Sequence, residues 1–168
     1  MNKTKFWRLI AAAKAESGGD LESQMQILEE SLADLKGEEI IQFQKILDEL
    51  ISSAHRWDLR GAAHVISGGC SDDSFYYFRG WLVAQGQKIF EEALDDPDSL
   101  SAVAEPEVEC EDILNVAAQA YEEKTGEEMP RNEIEVAEPA GEEWIEEDLP
   151  DLFPRLWAKF GEEEEEEA

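Results

Sequence analysis

Glu38-Glu39-Ile40-Ile41-Gln42-Phe43-Gln44-Lys45-Ile46-Leu47-Asp48-Glu49-Leu50-Ile51 is the stretch that sets the fold class. Its apolar positions, Ile40, Ile41, Phe43, Ile46, Leu47, Leu50 and Ile51, follow the helical period. The stripe they make is broad, so the segment reads as a core helix touched on two sides. Upstream, Lys36-Gly37 breaks the pattern, and before it Leu21, Met25, Leu28 and Leu32 step along a second helix. Ser17-Gly18-Gly19-Asp20 reads as a turn, with glycine as the stop and Asp20 as the next N-cap. A first helix over 4–17 starts at Thr4 and carries Phe6, Ile10, Ala13 and Ser17 on one face.

Downstream, Trp57 to Ile66 predicts a short fourth helix ended by Ser67-Gly68-Gly69. Ser71 or Asp72 then caps a fifth, which runs to about Gln85 with Phe75, Phe78 and Leu82 on one side and Tyr77, Trp81 and Ala84 beside it. Residues 87–95 add one or two turns before Pro97. No Asn-Gly hairpin and no clean alternation of β-branched residues is present, so strand signals are weak. The expected fold is all-α: a compact multi-helix domain over residues 1–100, followed by an acidic, partly disordered C-terminal extension.

That extension, residues 101–161, holds one plausible helix from about Glu111 to Lys124 and then a stretch rich in Glu, Pro, Gly and Ala. Such a composition favours disorder or loose wrapping. Ile145, Leu149, Leu152, Phe153, Leu156, Trp157 and Phe160 follow, too apolar for a linker, with Pro150 and Pro154 limiting any helix to short pieces. Two readings stand for this segment: part of a solubilising tail, or an element that docks on the domain or on a partner. Glu162 to Glu167 opens a poly-Glu tail, 162–168, that repels itself and is expected to be solvated.

Charge separates the same regions. The 168 residues carry 14 Lys+Arg and 42 Asp+Glu, a formal net charge of −28. Residues 1–100 hold 10 basic and 18 acidic residues, residues 101–168 hold 4 and 24. Within the first part, 55–88 is the one long acid-poor stretch, with Arg56, Arg60, Arg79 and Lys88 against Asp58, Asp72 and Asp73. Such an excess of acid argues against direct binding to nucleic acid or an anionic membrane, which need Lys and Arg. No apolar run approaches the ~18 residues that cross a bilayer. Phe6-Trp7-Arg8-Leu9-Ile10 lacks the long apolar stretch of a signal peptide. Two cysteines, Cys70 and Cys110, give no disulfide framework and suit a reducing compartment, so a cytoplasmic location is expected.

Four phrases occur in order: Phe6-Trp7-Arg8-Leu9-Ile10; Arg56-Trp57-Asp58-Leu59; Gly68-Gly69-Cys70-Ser71-Asp72-Asp73-Ser74-Phe75; and Phe78-Arg79-Gly80-Trp81-Leu82. Over roughly residues 1–100 the chain resembles the bacterial domain-of-unknown-function family numbered 4240. The resemblance implies an α-rich domain and carries over no activity and no catalytic residue.

The candidate sites come from the acid-poor stretch. In Gly68-Gly69-Cys70-Ser71-Asp72-Asp73, two glycines let backbone approach a ligand, and N–H groups at a helix start favour anions. A helix stop followed by a cap explains every residue except the second carboxylate, and Asp72 with Asp73 would repel a phosphate. A Cys70–His64–Asp73 arrangement has the atoms of a nucleophilic site, but its order and span match no nucleophile motif. His55 and His64, nine apart, fall on opposite faces of a continuous helix, and neither His-x3-His nor Cys-x2-Cys occurs, so neither metal nor cofactor is expected. The set Arg56, Trp57, Asp58, Arg60, Tyr76, Tyr77, Arg79 and Trp81 is rich in the residue types of interface hot spots, which equally build packed cores. Gly68, Gly69 and Asp72 complete the binding candidates. Burying both Arg56 and Arg79 would require a carboxylate for each, so at least one arginine is expected at the surface beside an aromatic.

Three functions compete on this reading. The leading one is a non-catalytic cytosolic module that binds another protein, one with a basic surface among the options, through the aromatic and arginine surface. A small enzyme using Cys70 is the second. The third is an acidic decoy or inhibitor of a basic, nucleic-acid-binding protein, its carboxylates standing where phosphates would sit.

Overall fold

The structure, a computed structural model, describes residues 1–130 and 137–161. The expected poly-Glu tail lies outside the described residues. Helices account for the architecture: α1 (Lys3–Ser17), α2 (Leu21–Ala33), α3 (Gly37–Ser53), α4 (Trp57–Ser67), α5 (Asp72–Ala84), α6 (Gln87–Asp95), α7 (Val116–Thr125), α8 (Leu149–Leu152) and α9 (Pro154–Phe160). Short 3₁₀ turns stand at Pro97–Ala102, Asp112–Leu114 and Glu146–Asp148. Among the described residues there is no strand, and one isolated bridge pairs Arg56 with Ala140. The fold is all-α.

Local chemistry sets the helix ends. Asn2, rather than Thr4, caps α1, its Oδ1 accepting from the Lys5 N–H at 2.8 Å. Asp20 caps α2 through the Ser23 N–H at 3.1 Å, and Ser71 caps α5 through the Ser74 N–H at 3.1 Å. Each leaves one fewer orphan donor in the first turn. Gly18 and Gly68 stop α1 and α4 at φ 68° and 74°, a left-handed geometry that side chains with a Cβ resist. The helix expected over Glu111–Lys124 starts instead as the Asp112–Leu114 turn and becomes α-helical only at Val116.

The α3 stripe sits where its breadth predicts. Ile40, Phe43, Ile46, Leu47, Leu50 and Ile51 are buried, with α7 against one side and α5 against another. α7 also packs on α2. Gly80 of α5 lets the chain press close, since a Cβ there would stand 2.7 Å from the Cys110 carbonyl oxygen. The Cys110 N–H in turn donates to the Tyr77 carbonyl at 2.9 Å.

Residue 100 is not an edge of the core. Ala104, Val108, Cys110, Ile113, Val116, Ala117, Ala120 and Met129 are buried in the same cluster, and so are Leu149, Phe153 and Leu156. Residues 137–161 form a strap over α4 and the Pro97–Ala102 turn. Of the two readings of the Trp144–Phe160 segment, the docked one describes the structure. Burying a side chain such as Phe153 contributes roughly 1.5–3 kcal/mol, enough to hold a short segment that has no helical stability of its own.

Candidate functional site

The acid-poor stretch folds as the α4–α5 pair, and the structure strings its aromatic and cationic groups into a ladder. Trp144 of the strap meets Trp57 edge-on at 6.1 Å. The Arg60 guanidinium lies 5.9 Å from the Trp57 ring and 5.7 Å from Phe75. Arg79 stands 4.6 Å from Phe75 and 5.5 Å from Tyr76, which stacks on Tyr77 at 6.2 Å. Trp57, Arg60, Tyr76 and Tyr77 are half-buried, whereas Phe75 and Arg79 are buried. Cation–π contacts of this kind contribute about 0.5–2 kcal/mol, more as water is excluded.

The arginines differ in what satisfies them. Arg56 forks onto Asp58 with Nε to Oδ1 at 3.0 Å, and its Nη2 also reaches the Leu94 carbonyl at 2.8 Å. Asp58 is further held by the Leu59 N–H at 2.8 Å. Arg60 donates to the Cys70 carbonyl at 3.0 Å and to Asp72 at 2.8 Å, but the Asp72 side chain is 92% exposed, so water screens that pair. Arg79 corrects one premise of the sequence argument, that a buried arginine needs a carboxylate. It is buried at 8% exposure, and no carboxylate among the described residues pairs with it. Its Nη1 donates to the Ile51 carbonyl at 3.0 Å and its Nε to Phe75 at 3.4 Å. Ile51 sits in the last turn of α3, where the helix dipole presents its negative end. That end and two aromatic faces stand in for a carboxylate. Burial still pulls the Arg79 pKa down to about 10, which leaves it charged at neutral pH. Trp81, at 6% exposure, is likewise core rather than surface.

The nucleophile arrangement is not assembled. Burial pushes the Cys70 thiol up to about 11, against the lowered pKa that reactive cysteines need. No hydrogen bond among the described residues joins Cys70 to His64 or to the exposed Asp73. His64 faces the strap instead, 3.6 Å from Glu146 and edge-on to Trp144 at 5.2 Å. Gly68 and Gly69 turn the chain at φ 74° and 150°, and a Cβ at either would meet no protein atom within 4 Å. Tyr77 has its hydroxyl pKa raised by the neighbouring Glu111. Among the described residues no group of three His, Cys, Asp or Glu is placed to hold a metal ion.

Two further residues shape this face: His55, weighed in the sequence only as a metal ligand, and Gly61, which the sequence reading passed over. His55 stacks on Phe75 at 5.6 Å and bonds the Ala137 carbonyl at 2.8 Å. Gly61 opens the seat for the strap: a Cβ there would stand 2.7 Å from Phe153 and 2.8 Å from the Trp144 ring nitrogen. The spacing Trp57, Gly61, His64 places all three on one side of α4, a signal present in the sequence but meaningless without its distant occupant.

The family model described as "Protein of unknown function (DUF4240)" matches residues 1–123. All four phrases that carry the sequence resemblance fall inside that span, which also takes in most of α7. Comparison with curated proteins and comparison with solved structures each give no match.

Proposed function

We propose that this chain, which belongs to the DUF4240 family, is a non-catalytic cytosolic module that binds another protein through the α4–α5 face. The observation that carries the reading is the half-buried ladder of Trp57, Arg60, Tyr76 and Tyr77 built on a buried Phe75–Arg79 base. Rigid aromatic and arginine groups that keep one face in water are the residue types that carry interface energy. The raised thiol of Cys70 supports a binding role over a nucleophilic one. No helix among the described residues is long and apolar enough to cross a membrane. The test is photocrosslinking in cells of the source organism, with a benzophenone amino acid at Tyr76 and a control at Lys88 on α6. A discrete adduct at position 76 that Arg60→Glu abolishes supports the reading. Equal labelling at both positions, or an adduct indifferent to Arg60, contradicts it.

A second reading has its own observation. Glu22, Glu29, Glu30 and Asp112 line a cleft of about 280 Å³ between α2 and the start of α7, so part of the acid is fixed on helices rather than carried in a tail. The Glu29 pKa is raised, first by burial and then by Glu123 and Glu30. Ordered like charges of this density suit the surface of a basic protein. On this reading the chain retains poly-lysine at low salt and releases it as salt rises, and Glu22→Gln with Glu30→Gln weakens the binding where Arg60→Glu does not. Retention unaffected by the glutamine pair removes the reading.

A further inference from the structure

The strap is held less like a packed helix than like a bound peptide. Its backbone joins the α3–α4 junction by two hydrogen bonds, Trp57 N–H to the Ala140 carbonyl and Ala140 N–H to the His55 carbonyl, both at 2.9 Å. The Trp144 ring nitrogen donates to the Trp57 carbonyl at 2.6 Å. Leu149, Phe153 and Leu156 are the buried anchors, Phe153 seated over Gly61. Asp98, itself 5% exposed, spends its carboxylate on the strap: it accepts from the Arg155 N–H at 3.0 Å, the Arg155 Nε at 3.1 Å and the Leu156 N–H at 2.8 Å. Asp96 adds a second acceptor for Arg155. The seat therefore reads both an apolar pattern and a positive charge.

Two further facts separate seat from occupant. Trp57, Gly61, His64, Asp96 and Asp98 lie inside the 1–123 span of the family model, and residues 137–161 lie outside it. The strap also fits only in part, since Ile145 and Leu152 remain 59% and 51% exposed.

We propose that the groove along α4 and the Pro97–Ala102 turn is a peptide-docking site whose tethered occupant is the strap. The partner is a protein segment of the same pattern, with apolar side chains at i, i+4 and i+7 and an arginine at i+6, as in Leu149, Phe153, Leu156 and Arg155. An acidic groove end paired with an apolar floor selects for that combination and rejects an acidic segment. A tether gives the strap an effective concentration of about millimolar, so a competitor binds weakly until the strap is loosened. This inference concerns the strap seat and does not depend on the ladder being an interface.

The test uses the full chain and a fluorescein-labelled peptide of residues 137–161, followed by anisotropy. Two chains with a loosened strap are compared with the wild type, Phe153→Ala and the milder Arg155→Glu, and circular dichroism is recorded for each. The labelled peptide is expected to bind both variants at least tenfold more tightly than the wild type. Unlabelled peptide displaces it, and a peptide carrying Arg155→Glu displaces it at least tenfold less well. No gain in binding by folded variants, or equal displacement by both peptides, overturns the proposal. Loss of the helical signal in both variants overturns it too, because the strap would then be an inseparable part of the core.

Discussion

Residues 1–125 and residues 137–161 bury apolar side chains in one continuous cluster, yet by different means. The first region does most of it with repeats of three and four along helices of nine to seventeen residues, where buried groups share a helix face. The strap does it with single anchors, Leu149, Phe153 and Leu156, on helical pieces of four and seven residues, locked by Arg155 on Asp98. A helix that short has no stability away from its seat. The contrast predicts that shared burial need not mean shared cooperativity: losing one anchor is expected to free the strap, whereas losing one α3 residue is expected to disturb the helices packed on it.

The largest effect is expected from Phe43→Ala, which empties the centre of α3. A fully buried phenylalanine truncated this way costs roughly 3–5 kcal/mol, to be read as a lowered denaturation midpoint. A loss no greater than that of Phe153→Ala would erase the distinction between the regions. Next comes Arg79→Ala, which leaves the Ile51 carbonyl with only the Ala54 N–H at 3.2 Å as its donor and opens space beside Phe75. A cost of about 1–3 kcal/mol is expected by the same measurement, and a neutral result would show that the α3 terminus does not rely on this arginine.

Smaller still is Asp20→Ala at the start of α2. The Asp20 pKa is lowered by the hydrogen bonds from Ser23. A depressed carboxylate stabilises above its unfolded pKa and ceases to as pH falls through the folded value. The variant therefore melts below the wild type near pH 7, and the gap closes on the acid side. A gap independent of pH would mean that the carboxylate charge plays no part. The smallest change is expected from Cys70→Ser, which leaves the melt where it was. With burial holding its thiol up near 11, Cys70 should react with iodoacetamide at pH 8 roughly tenfold more slowly than a free cysteine. Fast, selective labelling would reopen the nucleophile reading.

How much of this was legible in sequence follows the same divide. The helices through α6 announce themselves by period and caps, because those signals act within a turn of the residue that carries them. Arg79 was misjudged because its partners, the Ile51 carbonyl and two ring faces, are not residues a charge count can see. Trp81 carries no mark distinguishing core from surface. The strap seat was hidden for another reason: Gly61 and Asp98 gain meaning only from Phe153 and Arg155, 92 and 57 residues further on. Neither periodicity nor capping reaches that far.

The claim that the two regions differ in cooperativity is tested most directly by amide hydrogen exchange of the unmodified full chain, resolved by residue. Amides of α3 such as Phe43 and Leu47 should exchange only through global unfolding. Those at Phe153 and Trp157, bonded to the Leu149 and Phe153 carbonyls at 2.9 and 2.8 Å, should exchange at least tenfold faster through local release of the strap. Equal protection at the two sets of amides would mean one cooperative unit and contradict the account.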